Sequence, residues 1–397
     1  MWETLKARAR KTGTDYGLLI PLLVNSLMMQ TVVSIVRITT SYRAIELELS
    51  VVWLGVITAG FALLPIFVAV WVGRFVDRGH DALAAWIGSV LIIAGCAGFV
   101  LWPSAPGLFL ATTVHGVGHL FLVIAQQMLC VRCAGPGRME HVFGNYMVAN
   151  ALGHGLGPYV VGWAGGAATI PPTHLLFTIA LAASVVVLVA ALAMRPGADH
   201  LRKNDGEPVV PVRDLLGIRG FRAVLVLGVF TVTSQDLIVV YLPVMGTERG
   251  IDVRDVGLLL TARALSAMAS RLIYARMVER IGRRPLIIWT TLAGALSFLC
   301  LMAPLPLSAI YAAVIVMGFA LGIAMTLSIS TVIDLSIPAA RGTANSLRLL
   351  GNRFGQFVIP IGAGAVAAAS GVSAIFLMLA MALAGSVVML HVTWPRR

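Results

Sequence analysis

Gly73-Arg74-Phe75-Val76-Asp77-Arg78-Gly79 is a short polar interruption between two long apolar runs, 51–72 and 83–102. A weaker copy, Ala275-Arg276-Met277-Val278-Glu279-Arg280-Ile281-Gly282-Arg283-Arg284, divides the runs 253–274 and 286–303 in the same way. Gly55 precedes Asp77 by 22 positions, and Gly257 precedes Glu279 by 22. The chain is therefore written twice, with an offset near 202 residues. A doubled set of hydrophobic segments is the pattern of membrane proteins assembled from internal repeats.

Composition agrees. A soluble domain carries about 25% charged residues, whereas this chain carries 12% and is 59% hydrophobic. Its solvent must be lipid, and each crossing needs about 20 apolar residues. The net charge of +12 does not point to nucleic acid, because the basic residues fall in short pieces between apolar runs. The four cysteines, Cys96, Cys130, Cys133 and Cys300, lie in or at the ends of those runs. Cys130 and Cys133 have redox or zinc spacing, but no second pair completes a site, so they read as small buried hydrophobes. No metal and no cofactor is expected. Residues 1–16 are basic and lack a small-residue cleavage site, so they read as a retained cytoplasmic tail.

Twelve spans follow from the hydropathy: roughly 17–40, 51–72, 83–102, 107–132, 142–165, 173–194, 221–245, 253–275, 286–303, 307–332, 344–368 and 372–394. The polar stretch 195–220 separates six spans from six. The expected organisation is thus a tail (1–16), an N-terminal six-helix bundle (17–194), a cytoplasmic linker (195–220) and a C-terminal six-helix bundle (221–394). Of the 29 Lys and Arg residues, 21 fall on the side of the N-terminus, three on the other side and five inside spans. That asymmetry predicts both termini in the cytoplasm of a multi-pass inner (plasma) membrane protein.

These residues resemble the major facilitator superfamily over essentially the whole chain. The family's loop motif runs Gly-x-x-x-Asp-Arg-x-Gly-Arg-Lys. Gly73, Asp77 and Arg78 match it in the first copy. The second copy has Glu279 in place of Asp, followed by Arg280, and keeps Gly282, Arg283 and Arg284. The resemblance implies an all-α fold of twelve transmembrane helices in two pseudo-symmetric bundles. In that fold Asp77 would face the positive N-terminal end of span 11, Glu279 the start of span 5, and Gly73 would allow close helix approach. Both contacts would hold the cytoplasmic face shut.

Span 5 carries Gly153, Gly157, Pro158 and Gly162, which resemble the antiporter motif of drug–proton exchangers and imply export. Packing alone also produces such glycines. In span 4, Thr112-Thr113-Val114-His115-Gly116 departs from the exporters' Arg-x-x-Gln-Gly, with Thr and His at the Arg and Gln positions.

Ionisable groups inside a membrane are costly, and each is a functional candidate. Arg263 and Arg353 should sit near mid-membrane in spans that border the cavity of this family. Guanidinium there suits an anionic substrate; a structural arginine bonded to carbonyls is the alternative. Arg271 and Arg348, nearer the cytoplasm, read as gate or snorkelling residues. Asp236 is the one deeply placed acid. It either pairs with Arg37, at the equivalent place in span 1, to close an outer gate, or carries the coupling proton. His115 and His119 share one face of span 4 and are candidates for cavity lining or proton relay.

The resulting expectation is a transporter and not an enzyme, acting as a monomer on a small-molecule substrate. The leading form is a proton-coupled antiporter exporting a small organic, anionic or amphiphilic compound. A proton-coupled organic-anion uptake symporter is the alternative. No phosphate loop is present, which argues against direct ATP drive.

Overall fold

A computed structural model describes residues 13–135, 137–194, 212–336 and 341–394, apart from the side chains at 212, 341 and 342. The basic residues Lys6, Arg8, Arg10, Lys11, Arg195, Arg202, Lys203, Arg396 and Arg397, and the side chain of Arg341, lie outside that description. So does linker segment 195–211. Among the described residues there is no strand.

Twelve long helices form: α1 (Tyr16–Glu46), α2 (Val51–Phe75), α3 (Asp81–Leu101), α4 (Ala105–Cys133), α5 (Met139–Gly165), α6 (Thr173–Ala193), α7 (Phe221–Glu248), α8 (Val253–Ile281), α9 (Arg283–Met302), α10 (Leu307–Leu335), α11 (Arg341–Ser370) and α12 (Ser373–Thr393). Local chemistry sets their ends. Asp15 caps α1 by accepting from the amides of Gly17 and Leu18, which satisfies donors that a helix start otherwise leaves unpaired. Ser104 does the same for α4 through Gly107.

Nine described stretches are long and apolar enough to cross a membrane, with Val51–Leu101 counted as one although it holds both α2 and α3. The two helices that fall short are α5 and α11. Asn150 and His154 in one, and Arg353 and Gln356 in the other, lower their hydropathy.

The repeated polar motif is not a loop, contrary to the sequence reading. Helix α8 continues to Ile281, and only Gly282 separates it from α9. Met277 and Val278 pack against neighbouring hydrophobic residues, so the helix extends past the apolar run with its charges facing out. In the first copy the chain kinks between α2 and α3 over Val76–His80, where Gly79 leaves the helical conformation. Both hairpins reverse at a glycine with positive φ, 90° at Gly79 and 85° at Gly282. Such a backbone favours glycine.

The connections α2–α3, α4–α5, α8–α9 and α10–α11 share one face, termed the basic face because it carries Arg74, Arg78, Arg276 and Arg280. The opposite side is the far face. Across the two halves, α2 packs on α11 and α5 on α8. The repeat holds in three dimensions at an offset of 202 residues. A Cβ at Gly55 would strike Pro360 O, and one at Gly257 would lie 2.6 Å from Pro158 O and from Gly162 Cα. Gly364 in turn lies against Gly55. The pairs Gly55/Gly257, Pro158/Pro360 and Gly162/Gly364 are all 202 apart.

These bare-backbone contacts close the far face. Two hydrogen bonds add to the seal, Val253 N to Ala168 O (2.8 Å) and Arg254 N to Gly166 O (3.0 Å). Toward the basic face the helices part. A Cβ at Gly73 or Gly144 would meet nothing within 4 Å, so the close approach expected at Gly73 is not made here. Asp77, Arg78, Glu279 and Arg280 are exposed.

One prediction arises directly. Gly257→Ala forces the seam apart against backbone atoms, which have no low-energy way to move aside. Overpacking of this kind costs about 1–3 kcal/mol, so the population closed on the far face is expected to fall roughly tenfold. The rate of maleimide labelling of a cysteine placed at Leu258 should rise accordingly.

Candidate functional site

Between the halves lies a cavity of about 320 Å³ that extends from the middle of the helices toward the basic face. Helices α1, α4, α5, α7, α8 and α10 line it. Small-molecule sites typically measure about 300–1,000 Å³ and combine apolar walls with few polar groups. Here the apolar wall includes Val33, Val123, Val232, Met147, Met268 and Met325.

Its charges are uneven. Arg37, Arg263 and Arg271 line the cavity with a single carboxylate, Asp236. Arg37 Nη1 donates to Asp236 Oδ1 at 2.5 Å, and its guanidinium lies 4.3 Å from the centre of the Phe61 ring. Gln356 Nε2 donates to Asp236 Oδ2 at 2.6 Å, and Arg353 donates to Gln356 Oε1 at 3.2 Å. One continuous polar chain thus links α1, α7 and α11 across the two halves. Arg263 and Arg271 make no ion pair or hydrogen bond among the described residues, and Arg263 Nε is buried without a partner. Burying guanidinium without a counter-ion is expensive.

The repeat explains where these groups come from. Ser34 and Asp236 are 202 residues apart, as are His154 and Gln356. The Ser34–His154 contact (3.3 Å) and the Asp236–Gln356 hydrogen bond are therefore the same contact in the two halves. The N-terminal copy is neutral and the C-terminal copy is acidic. Arg37, which has Val239 as its counterpart, bridges from the first to the second.

A second network stiffens the N-terminal wall. Gln30 donates to Asn150 Oδ1 (2.7 Å), Asn150 to Ser26 Oγ (2.8 Å), and Gln126 to Asn25 Oδ1 (2.6 Å). It ties α1 to α4 and α5 and leaves Asn150 and Gln30 at the cavity edge.

The candidates from sequence divide. Arg37, Asp236, Arg263 and His119 meet at the cavity, joined by Arg271, which sequence had assigned to the gate. Arg353 stands behind Gln356 and not on the cavity wall. His115 is off the wall of this cavity, near Phe61 and with its Nδ1 4.0 Å from Cys96 Sγ. Arg348 bonds to Asn345 on its own helix. Phe61, Ser34 and Gln356 were not foreseen; comparing positions 202 apart would have exposed Gln356 beside His154. Among the described residues no three His, Cys, Asp or Glu side chains cluster to hold a metal, and all four cysteines are free.

The glycines of span 5 have specific contacts. Gly153 and Gly157 lie against α1, at Leu27 O and Ser34 Cβ, and Gly162 lies against Gly257 of α8. Gly153, Pro158 and Gly162 recur as Gly355, Pro360 and Gly364 in α11.

On the basic face two ion pairs clamp the hairpins. Arg132 Nε lies 2.6 Å from Asp81 Oδ2, and Arg283 pairs with Asp334. Asp81 and Arg283 are 202 residues apart, as are Arg132 and Asp334. The same pair therefore occurs in both halves with its polarity reversed.

The sequence profile of the Major Facilitator Superfamily matches residues 12–243 and 224–397. No curated relative matches the chain. Solved structures with the same fold include the nucleoside transporter NupG, at 14% identity and TM-score 0.76 over 96% of this chain and 100% of that one. A POT family transporter in complex with 5-aminolevulinic acid has 14% identity and TM-score 0.77, over 94% of this chain and 95% of that one. A D-xylose–proton symporter has 12% identity and TM-score 0.78, over 96% and 98%. The twelve helices, the doubled halves and the profile match over the whole length lead to one conclusion: the chain belongs to the Major Facilitator Superfamily and is a membrane transporter of small molecules, not an enzyme.

Proposed function

We propose that this transporter carries small organic anions together with protons by alternating access. The observation that carries the reading is the charge imbalance of the cavity, with Arg263 and Arg271 free of carboxylate partners and Arg37 held by Asp236. An entering carboxylate or phosphate would pair with Arg263 and compete with Asp236 for Arg37. Asp236, deprived of its guanidinium in a low-dielectric cavity, takes up a proton. Anion and proton are then bound together and move in the same direction. A screen of monocarboxylates, dicarboxylates and phosphate monoesters by thermal shift on purified protein tests the substrate class. Anions should stabilise the protein and matched neutral or cationic amides should not; the reverse ranking would refute the reading.

Proton-driven export by antiport is the second reading, favoured by the resemblance of Gly153, Gly157, Pro158 and Gly162 to the exporters' motif. Recurrence of most of that motif in α11 weakens it as a mark of direction. Uptake into inside-out versus right-side-out vesicles under the same pH gradient separates the two.

In this reading the basic face is cytoplasmic, in a plasma (inner) membrane, and the bundles 17–194 and 221–394 rock about the midplane, joined by linker 195–220. A reporter fused within 202–207 should be found inside the cell.

The reversed ion pairs serve as the cytoplasmic gate. Positions related by the pseudo-two-fold face each other when the basic face closes, and there Arg132 meets Asp334. Reversing one half (Arg283→Asp with Asp334→Arg) keeps the local clamp but opposes like charges across the gate, which costs several kcal/mol in the closed state. Transport is expected to fall roughly tenfold or more. Reversing the other half as well (Asp81→Arg with Arg132→Asp) should restore it. If the single reversal transports normally, the pairs act only as hairpin clamps.

A further inference from the structure

Arg37 borders two cavities. On one side is the large cavity; on the other is a small cell of about 20 Å³ toward the far face, also lined by Phe61, Thr58, Thr40, Thr112 and His115. Two polar atoms of that lining, Thr112 Oγ1 and His115 Nε2, are buried with no hydrogen-bond partner. The neighbouring threonines behave differently. Thr40, Thr58 and Thr113 each donate to a carbonyl of their own helix, at 2.7, 2.7 and 2.8 Å. Among the threonines that line the cell, Thr40, Thr58 and Thr112, only the Thr112 hydroxyl has no partner. His115 is 1% exposed and Thr112 9%, so bulk solvent does not satisfy them. Leaving such groups unmet costs about 1–3 kcal/mol each.

We propose that this cell is a binding site for a single ordered water, bridging Thr112 Oγ1, His115 Nε2 and Arg37, and that this water is the partner to which the Arg37 guanidinium turns when Arg37 leaves Asp236. The volume suffices, since one water needs about 10–15 Å³ by this measure and two to four polar partners. Arg37 has five N–H donors, of which the Asp236 contact uses one. The groups facing His115 are Arg37 from α1, Phe61 from α2, Cys96 and Phe99 from α3 and His119 from its own helix. No carboxylate is among them, so a guanidinium turning into the cell finds neutral acceptors and water and no rival anion. Arg37 then has two stations separated by a small swing. It is bound either to Asp236 on the cavity side or to the water of Thr112 and His115 on the far side. The second station leaves the Asp236 carboxylate free for the proton invoked above. The water site itself does not depend on that reading; only its consequence for coupling does.

Water is the probe. Hydroxyl-radical footprinting of the reconstituted full chain, after rapid mixing into ¹⁸O water, reads which side chains are labelled by a slowly exchanging water. In the wild type, Phe61 and His115 should take label from a water exchanging about tenfold or more slowly than that at Tyr146 and Met147, as expected of a tightly bound water. Thr112→Val, nearly the same shape without the hydroxyl, should abolish the slow component. Asp236→Asn, which releases Arg37 to the cell, should lengthen the residence further. Fast exchange at Phe61 and His115 in the wild type, or no effect of Thr112→Val, overturns the water site. Unchanged residence in Asp236→Asn overturns the second station. Proton coupling retained in Asp236→Asn, with the slow label intact, would instead count against the function proposed above.

Discussion

Arg263→Ala is expected to lower transport about a hundredfold, by removing a desolvated guanidinium whose charge-assisted bonds are worth roughly 1.5–3 kcal/mol and more where water is excluded. Arg263 is buried on α8 and lines the cavity, with Nε unpartnered and no ion pair. Its backbone is fixed by Gly318 of α10, where no Cβ could be accommodated against Arg263 O. The side chain is thus held in place at a cost that no direct ion pair or hydrogen bond among the described residues offsets. Truncation removes that cost, so thermal stability should hold or rise while transport is lost. Arg263→Lys keeps the charge but loses the planar fork, and should fall in between, roughly tenfold down. Initial uptake rates alongside melting midpoints check both. Full transport with Ala would remove Arg263 from the substrate site.

Asp236→Asn has the second large effect. The amide cannot take up a proton, and Arg37 loses its ion pair. Dependence of uptake on the pH gradient should vanish. Exchange of anion for anion, which needs no net proton movement, should survive. Removing the one carboxylate among three arginines raises the positive charge of the cavity, so anion affinity should rise several-fold, as charge pairs in such sites are worth upward of about 1.5 kcal/mol. Comparing gradient-driven uptake with counterflow in the same proteoliposomes separates the two effects. An unchanged response to the gradient would exclude Asp236 as the proton carrier.

Much of this architecture was legible in the residues. Apolar runs separated by Pro103, Pro106, Pro171 and Pro172 mark helices because lipid leaves the backbone no other way to satisfy itself. The repeat of Gly55–Asp77 as Gly257–Glu279 announced the doubling. The site was legible only in part. Asp236 and the arginines stand out by rarity, since charge in a membrane is rare unless used. Gln356 and Phe61 do not, because amides and aromatics are ordinary in membrane helices. Their roles come from contacts across 120 residues, from Asp236 to Gln356, and from the stacking of Arg37 on α2. His115 misled for a related reason. Four residues from His119 puts it on the same helix face, but with Phe61 packed against both rings His119 lines the large cavity and His115 the small cell. The second polar motif was taken for a loop because composition does not distinguish a charged helix end from a turn.

The most direct measurement is uptake of a labelled organic anion, chosen from the thermal-shift panel, into proteoliposomes of the wild type and of Asp236→Asn, under an imposed pH gradient acidic on the far face. The account predicts accumulation against the anion gradient in the wild type, collapsing when the pH gradient is dissipated and absent in Asp236→Asn. Equal accumulation in the two proteins, or accumulation indifferent to the pH gradient, would contradict it.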